Sequence, residues 1–290
     1  MTVCIAGIHE DRAGSSVLLV CDRRISIFGG WFSQEGNAKY TQVHTDWFGM
    51  FAGDVEETNL MLKEVNKSLA KLKAVPFETV VKRCRLAYAK VRKLLIETQV
   101  LPEFDVPTYR KFQELKRTDE AVYLNIRAKI TAAEENWNLL FAGFDNRRAP
   151  HLFIISGPGN VQFCDSQKYA AIGIGAFAAL VWLAFYGYGS RKPLGELLFG
   201  ALSAKFFAEK ASDVGQTTVV STIKSDMAAL FHFNDDEVSS VRKAWEGLPK
   251  HSKESVEDLE NRMATTYRVF RSAFPSTVRE PSSQKAARAK

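Results

Sequence analysis

The spacing of hydrophobic residues changes several times along this chain, and each change marks a new element. VCIAGI (3–8) and SVLLVCD (16–22) are short, β-branched-rich runs on either side of the polar turn HEDRAGSS, which predicts two strands. WFGMF (47–51) predicts another. The period then lengthens. Leu62, Val65, Leu69 and Leu72 recur at three- and four-residue spacing, and Phe77, Val80, Val81, Cys84, Tyr88, Val91 and Leu95 do the same after Pro76. These positions predict two successive amphipathic helices. Asp54, with Glu57 three residues on, supplies a capping-box-like start for the first.

Residues 98–136 are polar, carry Pro102 and Pro107, and are only partly periodic, as expected of an inserted helical excursion. Strands resume with WNLLFAGFD (137–145), HLFIIS (151–156), VQFCD (161–165) and KYAAIG (168–173). Helical stretches follow at about 177–187 and 193–211, then TTVVSTI (217–223) and AALFHF (228–233) as two more strands. From Asp235 to about Phe274 the pattern is charged and helical, and Pro275 ends it. The order of strands, two helices, strands, two helices, strands predicts a sheet-rich α+β layer structure with a helix pair on each sheet face.

Composition narrows the class without changing this picture. A chain of 290 residues with 46% apolar and 25% charged residues has enough hydrophobic material for a sizeable core. The net charge of +6 is modest, and much of the excess (Arg279, Lys285, Arg288, Lys290) sits among Pro, Ser and Ala at the end of the chain. That stretch reads as a solvated tail and not as a nucleic-acid surface. Cys4, Cys21, Cys84 and Cys164 are scattered, with no CxxC pair and no His at metal spacing, and read as reduced, mostly buried thiols of a cytoplasmic protein. No charged start leads into an apolar segment, so no signal peptide is expected. Tyr169–Gly189 runs twenty-one residues without a charge, but Gly173 and Gly175 divide it into a strand-like start and a helix-like rest. It therefore reads as a buried strand-turn-helix and not as a membrane span. Gly173-x-Gly175-x-x-Ala178 is no dinucleotide fingerprint, because alternating βαβ units are missing around it.

The candidate chemistry begins at position 2. Thr2 is small enough for removal of Met1 to expose it, and an N-terminal threonine carries a nucleophile and its own base on one residue. Its α-amine, with an intrinsic pKa of about 7.7–8.0, can take the hydroxyl proton directly or through water. Asp22-Arg23-Arg24 closes the second strand, Lys39 lies in the loop-to-strand stretch EGNAKYTQV, and Ala52-Gly53 sits where WFGMF hands over to the first helix. A lysine beside the threonine lowers the pKa of its amine and hydroxyl, and an aspartate keeps that lysine charged and oriented. A glycine at a strand-to-helix junction presents an N–H to a developing oxyanion. Taken singly these are a solvated turn, a surface lysine and a turn glycine. Their order behind Thr2 gives them weight.

In that order the residues resemble a proteasome β-type subunit, and especially the bacterial proteasome-like (Anbu-like) peptidases of the N-terminal nucleophile (Ntn) hydrolase class. TVCIAGI…VLLVCDRRIS resembles the family's opening hairpin, GMFAGDVEETNLML its oxyanion segment and following helix, LLFAGFDNRRAPHLFIISGPGNV its central hairpin, and AAIGIGAFAA its Gly-x-Gly turn. The resemblance covers roughly 2–97 and 137–233, with 98–136 as an insertion, 234–274 as a C-terminal helical extension and 275–290 as a disordered basic tail. It implies a four-layer αββα sandwich and a catalytic set of Thr2, Asp22, Lys39, Gly53 and Asp213, with Arg24 supporting Asp22. It departs from the family at two places. Ile174 stands where a serine commonly separates the two glycines, and Gln216 stands where a serine follows three residues after the aspartate matched by Asp213.

The resemblance further implies a threonine-type peptidase acting on peptides or unfolded protein segments and self-associating into rings or open helical arrays. No metal or organic cofactor, no nucleic acid and no membrane is expected, and an ATPase partner is left open. Ile174 and Gln216 keep a second reading alive, a weakly active or inactive subunit serving as an assembly scaffold. Amide hydrolysis on a small metabolite is a third.

Overall fold

A computed structural model describes residues 2–11, 14–27, 32–35, 38–134, 137–210, 214–225 and 230–247, with 24–27 and 32–35 described as backbone alone. Residues 1–243 form one compact unit, which contains every contact discussed below; of a second unit, 244–290, only the end of one helix is described.

Two five-stranded antiparallel sheets carry the fold. The first takes the order β10-β1-β2-β11-β12, from β1 (Cys4–Asp11), β2 (Gly14–Asp22), β10 (Tyr169–Ile172), β11 (Thr218–Lys224) and β12 (Leu230–His232). The second runs β5-β6-β7-β8-β9, from β5 (Tyr40–His44), β6 (Trp47–Gly53), β7 (Trp137–Phe144), β8 (Pro150–Ser156) and β9 (Asn160–Phe163). A separate two-stranded ribbon pairs β3 (Arg24–Ile27) with β4 (Phe32–Glu35).

Strand alternation decides where the cores lie, because successive side chains point to opposite faces. Cys4, Ala6, Ile8, Val17, Leu19 and Cys21 of the first sheet meet Phe48, Met50, Ala52, Leu140, Ala142 and Phe144 of the second in one buried cluster. The intervening Trp47, Phe51, Leu139 and Phe141 belong to a second cluster, with the apolar stripes of α1 (Val55–Leu69) and α2 (Phe77–Leu95). On the first sheet, α5 (Ala176–Tyr186) packs on β10 and β1, and α6 (Leu194–Ala208) on β1 and β2.

After α2 the chain passes through a π-helical turn (Ile96–Val100) and a 3-10 turn (Leu101–Phe104) into α3 (Tyr109–Thr118) and α4 (Glu120–Glu134). Phe112, Ile126 and Ile130 join the cluster over the second sheet. The last described helix is α7 (Asp235–Glu246). Among the described residues no helix is long and apolar enough to cross a membrane. The charge-free stretch 169–189 divides at Gly173–Gly175 into β10 and α5, and α5 ends at Gly187 with φ +67. All four cysteines are buried free thiols.

Candidate active site

Antiparallel pairing of β1 with β2 sets Cys4 opposite Cys21, so the start of β1 and the end of β2 lie side by side. Thr2 and Asp22, twenty positions apart in sequence, thereby become neighbours. The Val3 N–H donates to Asp22 Oδ1 at 3.0 Å, and the Asp22 N–H donates to the Val3 carbonyl at 3.3 Å. Lys39 arrives from the other sheet. Its carbonyl accepts from the Phe51 N–H at 3.2 Å, and the next residue opens β5.

The Lys39 ammonium bridges the two. It donates to Asp22 Oδ2 at 3.0 Å and to Thr2 Oγ1. All three side chains are withdrawn from water, with Asp22 at 0%, Lys39 at 2% and Thr2 at 8% exposure. A buried lysine–carboxylate pair pays a large desolvation penalty unless its geometry is good and its remaining lone pairs are used. Here both carboxylate oxygens of Asp22 accept bonds. Close by, burial foremost and then neighbouring Cys21 and Asp22 hold the Cys4 thiol well above its ordinary pKa, so Cys4 is a neutral packing group. Its Sγ donates to the Phe51 carbonyl at 3.3 Å.

The Gly-x-Gly turn closes over the Thr2 backbone. Gly175 N–H donates to the Thr2 carbonyl at 3.3 Å. Gly173 has φ +95, and a Cβ there would fall 2.2 Å from the Thr2 carbonyl oxygen and 3.3 Å from Ala52 Cβ. Only glycine combines that dihedral with that approach. The same contact brings Ala52 beside Thr2, and with it Gly53, which is exposed and has φ +115. Asp54 next caps α1, its Oδ1 accepting from the Glu56 and Glu57 N–H groups at 2.9 and 3.0 Å. The reciprocal half of the expected capping box is absent, since the Glu57 carboxylate accepts from Trp137 Nε1 instead.

The other sequence candidates fall as follows. Ile174 is 60% exposed, and its side chain offers no hydrogen-bonding group. Gln216 is exposed, and its backbone carbonyl accepts from Lys205 Nζ at 3.1 Å and from Arg242 at 2.8 Å. Asp213 and the Arg24 side chain lie outside the described residues. Sequence reasoning passed over Lys205, which is fully buried in α6. The available signal was a lone lysine in the apolar run LLFGALSAKFFA with Glu209 one turn later. A cavity of about 810 Å³ lies elsewhere, lined among others by Arg92, Tyr109 and Glu134, and shares no residue with the Thr2 cluster.

This arrangement can lower the cost of ionising one hydroxyl. A cation within hydrogen-bonding distance of Thr2 Oγ1 stabilises negative charge there, and Asp22 keeps that cation in place.

No known protein-family model matches the chain, and no curated protein does. Among solved structures, that of the Anbu (Gly-1) mutant from Hyphomicrobium sp. strain MC1 superposes with a TM-score of 0.59 at 14% identity, covering 97% of this chain and 100% of that one. The chain therefore has an α+β fold like that of Anbu, with two antiparallel sheets and flanking helices.

Proposed function

We propose that this protein is a proteasome-like threonine peptidase of the Ntn hydrolase class, cleaving amide bonds in peptides or unfolded segments with Thr2 as nucleophile once Met1 is removed. One observation carries the reading: the buried chain of contacts from Thr2 Oγ1 through Lys39 to Asp22. The Thr2 oxygen accepts from Lys39, so its own hydrogen is free to pass to the α-amine as Oγ1 bonds to the substrate carbonyl carbon. The Gly53 N–H, at the start of α1, receives the oxyanion. The ammonium so formed at Thr2 returns its proton to the departing amine as the C–N bond breaks. Water then hydrolyses the acyl ester, with the α-amine again taking and returning a proton.

The same reading includes the four-layer αββα order, supported by apolar clusters between the two sheets and between the second sheet and α1–α2. It includes residues 2–97 and 137–233 as the Ntn core, a catalytic role for Asp213 and a cytoplasmic setting. Self-association is supported by an unusual exposed stripe. Phe177, Val181 and Phe185 lie 79, 47 and 43% exposed at helical spacing along α5, and Ile174, two residues before that helix, is 60% exposed. Apolar patches of this kind mark contact surfaces, and a second copy of this chain in a ring or open array would cover it.

A scaffold reading is favoured by Ile174 and Gln216, which leave two family hydroxyl positions without a hydroxyl. Peptide hydrolysis by the wild type and Thr2→Ala decides between them, with intact mass reporting Met1. Hydrolysis lost on Thr2→Ala, in protein lacking Met1, supports the peptidase. Equal rates, or Met1 fully retained, refute it. Turnover of amide metabolites without cleavage of casein-like chains would move the reading to a small-molecule amidohydrolase.

A further inference from the structure

Outside the Thr2–Lys39–Asp22 chain, the described core holds a second fully buried lysine. Lys205 is 0% exposed, in the last turn of α6. Its ammonium donates to the carbonyls of Gly215 and Gln216 at 2.6 and 3.1 Å, and to the Glu209 carboxylate. Two consecutive backbone carbonyls rarely converge on one point, because their oxygen dipoles repel. A cation at the convergence reverses the sign of that interaction. Arg242 of α7 braces the same place from outside, donating to Glu209 at 2.6 and 2.8 Å and to the Gln216 carbonyl at 2.8 Å, with its guanidinium 4.1 Å over the Phe206 ring.

The segment held in this way touches the Thr2 site from two sides. Val214, one residue before the gripped carbonyls, lies 2.9 Å from where a Cβ of Gly175 would be, and the Gly175 N–H holds the Thr2 carbonyl. On the other side, the Thr217 carbonyl accepts from the Arg23 N–H at 3.3 Å, and Thr218 pairs with Asp22 across β11 and β2. We infer that Lys205 is a positioning residue for the Thr2 site. It clamps the Gly215–Gln216 carbonyls so that Val214 backs the Gly175 turn on one flank and β11 holds Asp22 of β2 on the other. The inference rests on Thr2 being the nucleophile. It supplies an order-giving element at the position where Gln216 offers no hydroxyl. Burial pushes the Lys205 pKa down, while Glu209 above all and Asp22 also favour its charged form.

The test is labelling of Thr2 in the full chain by phenylmethanesulfonyl fluoride. The limiting rate and half-saturating concentration are read by mass spectrometry of the N-terminal peptide, and folding by circular dichroism. Lys205→Met keeps the volume and removes the cation. A small misplacement of reacting atoms is costly, so its limiting rate should fall about tenfold or more while the half-saturating concentration stays within about twofold. A merely structural lysine would lower the melting temperature and leave the limiting rate alone. A folded Lys205→Met variant labelled at the wild-type rate therefore overturns the assignment. Arg242→Gln, on the accessible side of the clamp, should slow labelling about two- to fivefold. If Lys205→Met does not fold, Arg242→Gln decides, and a wild-type rate there overturns the inference. Wild-type protein that is unlabelled at Thr2 refutes the nucleophile reading itself, and the Lys205 assignment falls with it.

Discussion

Replacing Lys39 by methionine removes the cation from between Thr2 and Asp22 at nearly constant volume, and leaves the Asp22 carboxylate without that partner at 0% exposure. At the 3.0 Å separation of Nζ and Oδ2, an effective dielectric of about 20 gives a Coulomb attraction of about 5–6 kcal/mol, before desolvation is charged against it. Breaking a buried pair by deleting one partner costs about 3–5 kcal/mol. That is a large share of a total stability of about 5–15 kcal/mol, and corresponds to a fall in melting temperature of about 6–20 °C for a domain of this size. Asp22→Asn strands the ammonium instead, though the asparagine oxygen can still accept from the Val3 N–H. With both changes together no unpaired charge remains, so the double variant should be less destabilised than the sum of the singles. The coupling should be at least about 2 kcal/mol. Urea unfolding of all four proteins at one protein concentration measures it, since association shifts the midpoint. Additivity within about 0.5 kcal/mol would refute a shared buried charge contact. The double variant should also leave Thr2 unlabelled by a sulfonyl fluoride, separating restored stability from restored chemistry.

Three further outcomes follow from single features. Gly173→Ala places a methyl against the Thr2 carbonyl at φ +95 and should destabilise by about 1–3 kcal/mol and suppress Thr2 labelling; Gly187→Ala, at φ +67 with nothing within 4 Å, should cost about 1 kcal/mol and leave labelling intact. Phe177→Glu with Val181→Glu should shift the sedimentation coefficient toward that of a monomer, and an unchanged assembly would remove the α5 stripe from the contact. His151 is stacked on Phe77 at 3.9 Å, with Asp165 at 2.7 Å and Asp145 at 3.6 Å. Burial works to lower its pKa, but the Asp165 hydrogen bond and both aspartate charges win and raise it. The folded state thus holds the proton more tightly than the unfolded one. The contribution is complete below the unfolded value of about 6.5 and is lost as the pH climbs through the higher folded value. His151→Gln should flatten that decline above about pH 6.5, and an unchanged slope would contradict the assignment.

The parts of the fold visible in the sequence are those in which burial imposes a period. Leu62, Val65 and Leu69 line one side of α1, and the alternation through WFGMF is the division of β6 between two cores. Lys39 was legible because it follows Thr2 and Asp22 in an order that resembles a known family's, and geometry brings those three side chains together across two sheets. The β3–β4 ribbon was missed because neither four-residue strand, RISI or FSQE, is long enough to show a sustained alternation. The Glu57 carboxylate went to Trp137, eighty residues away, and not to the cap of its own helix. Sequence spacing could not decide that competition, because the tryptophan N–H is delivered by the pairing of β6 with β7. Lys205 illustrates the same limit more sharply. Local pattern reads a lysine in an apolar helix as a side chain reaching for solvent, and only the fold shows that its partners are two main-chain carbonyls beyond the helix end. Polar groups whose partners are backbone atoms leave no trace in residue identity at the partner position. Part of the support for a site like this one is therefore carried by residues, such as Gly215 and Gln216, that a search for hydroxyls would pass over.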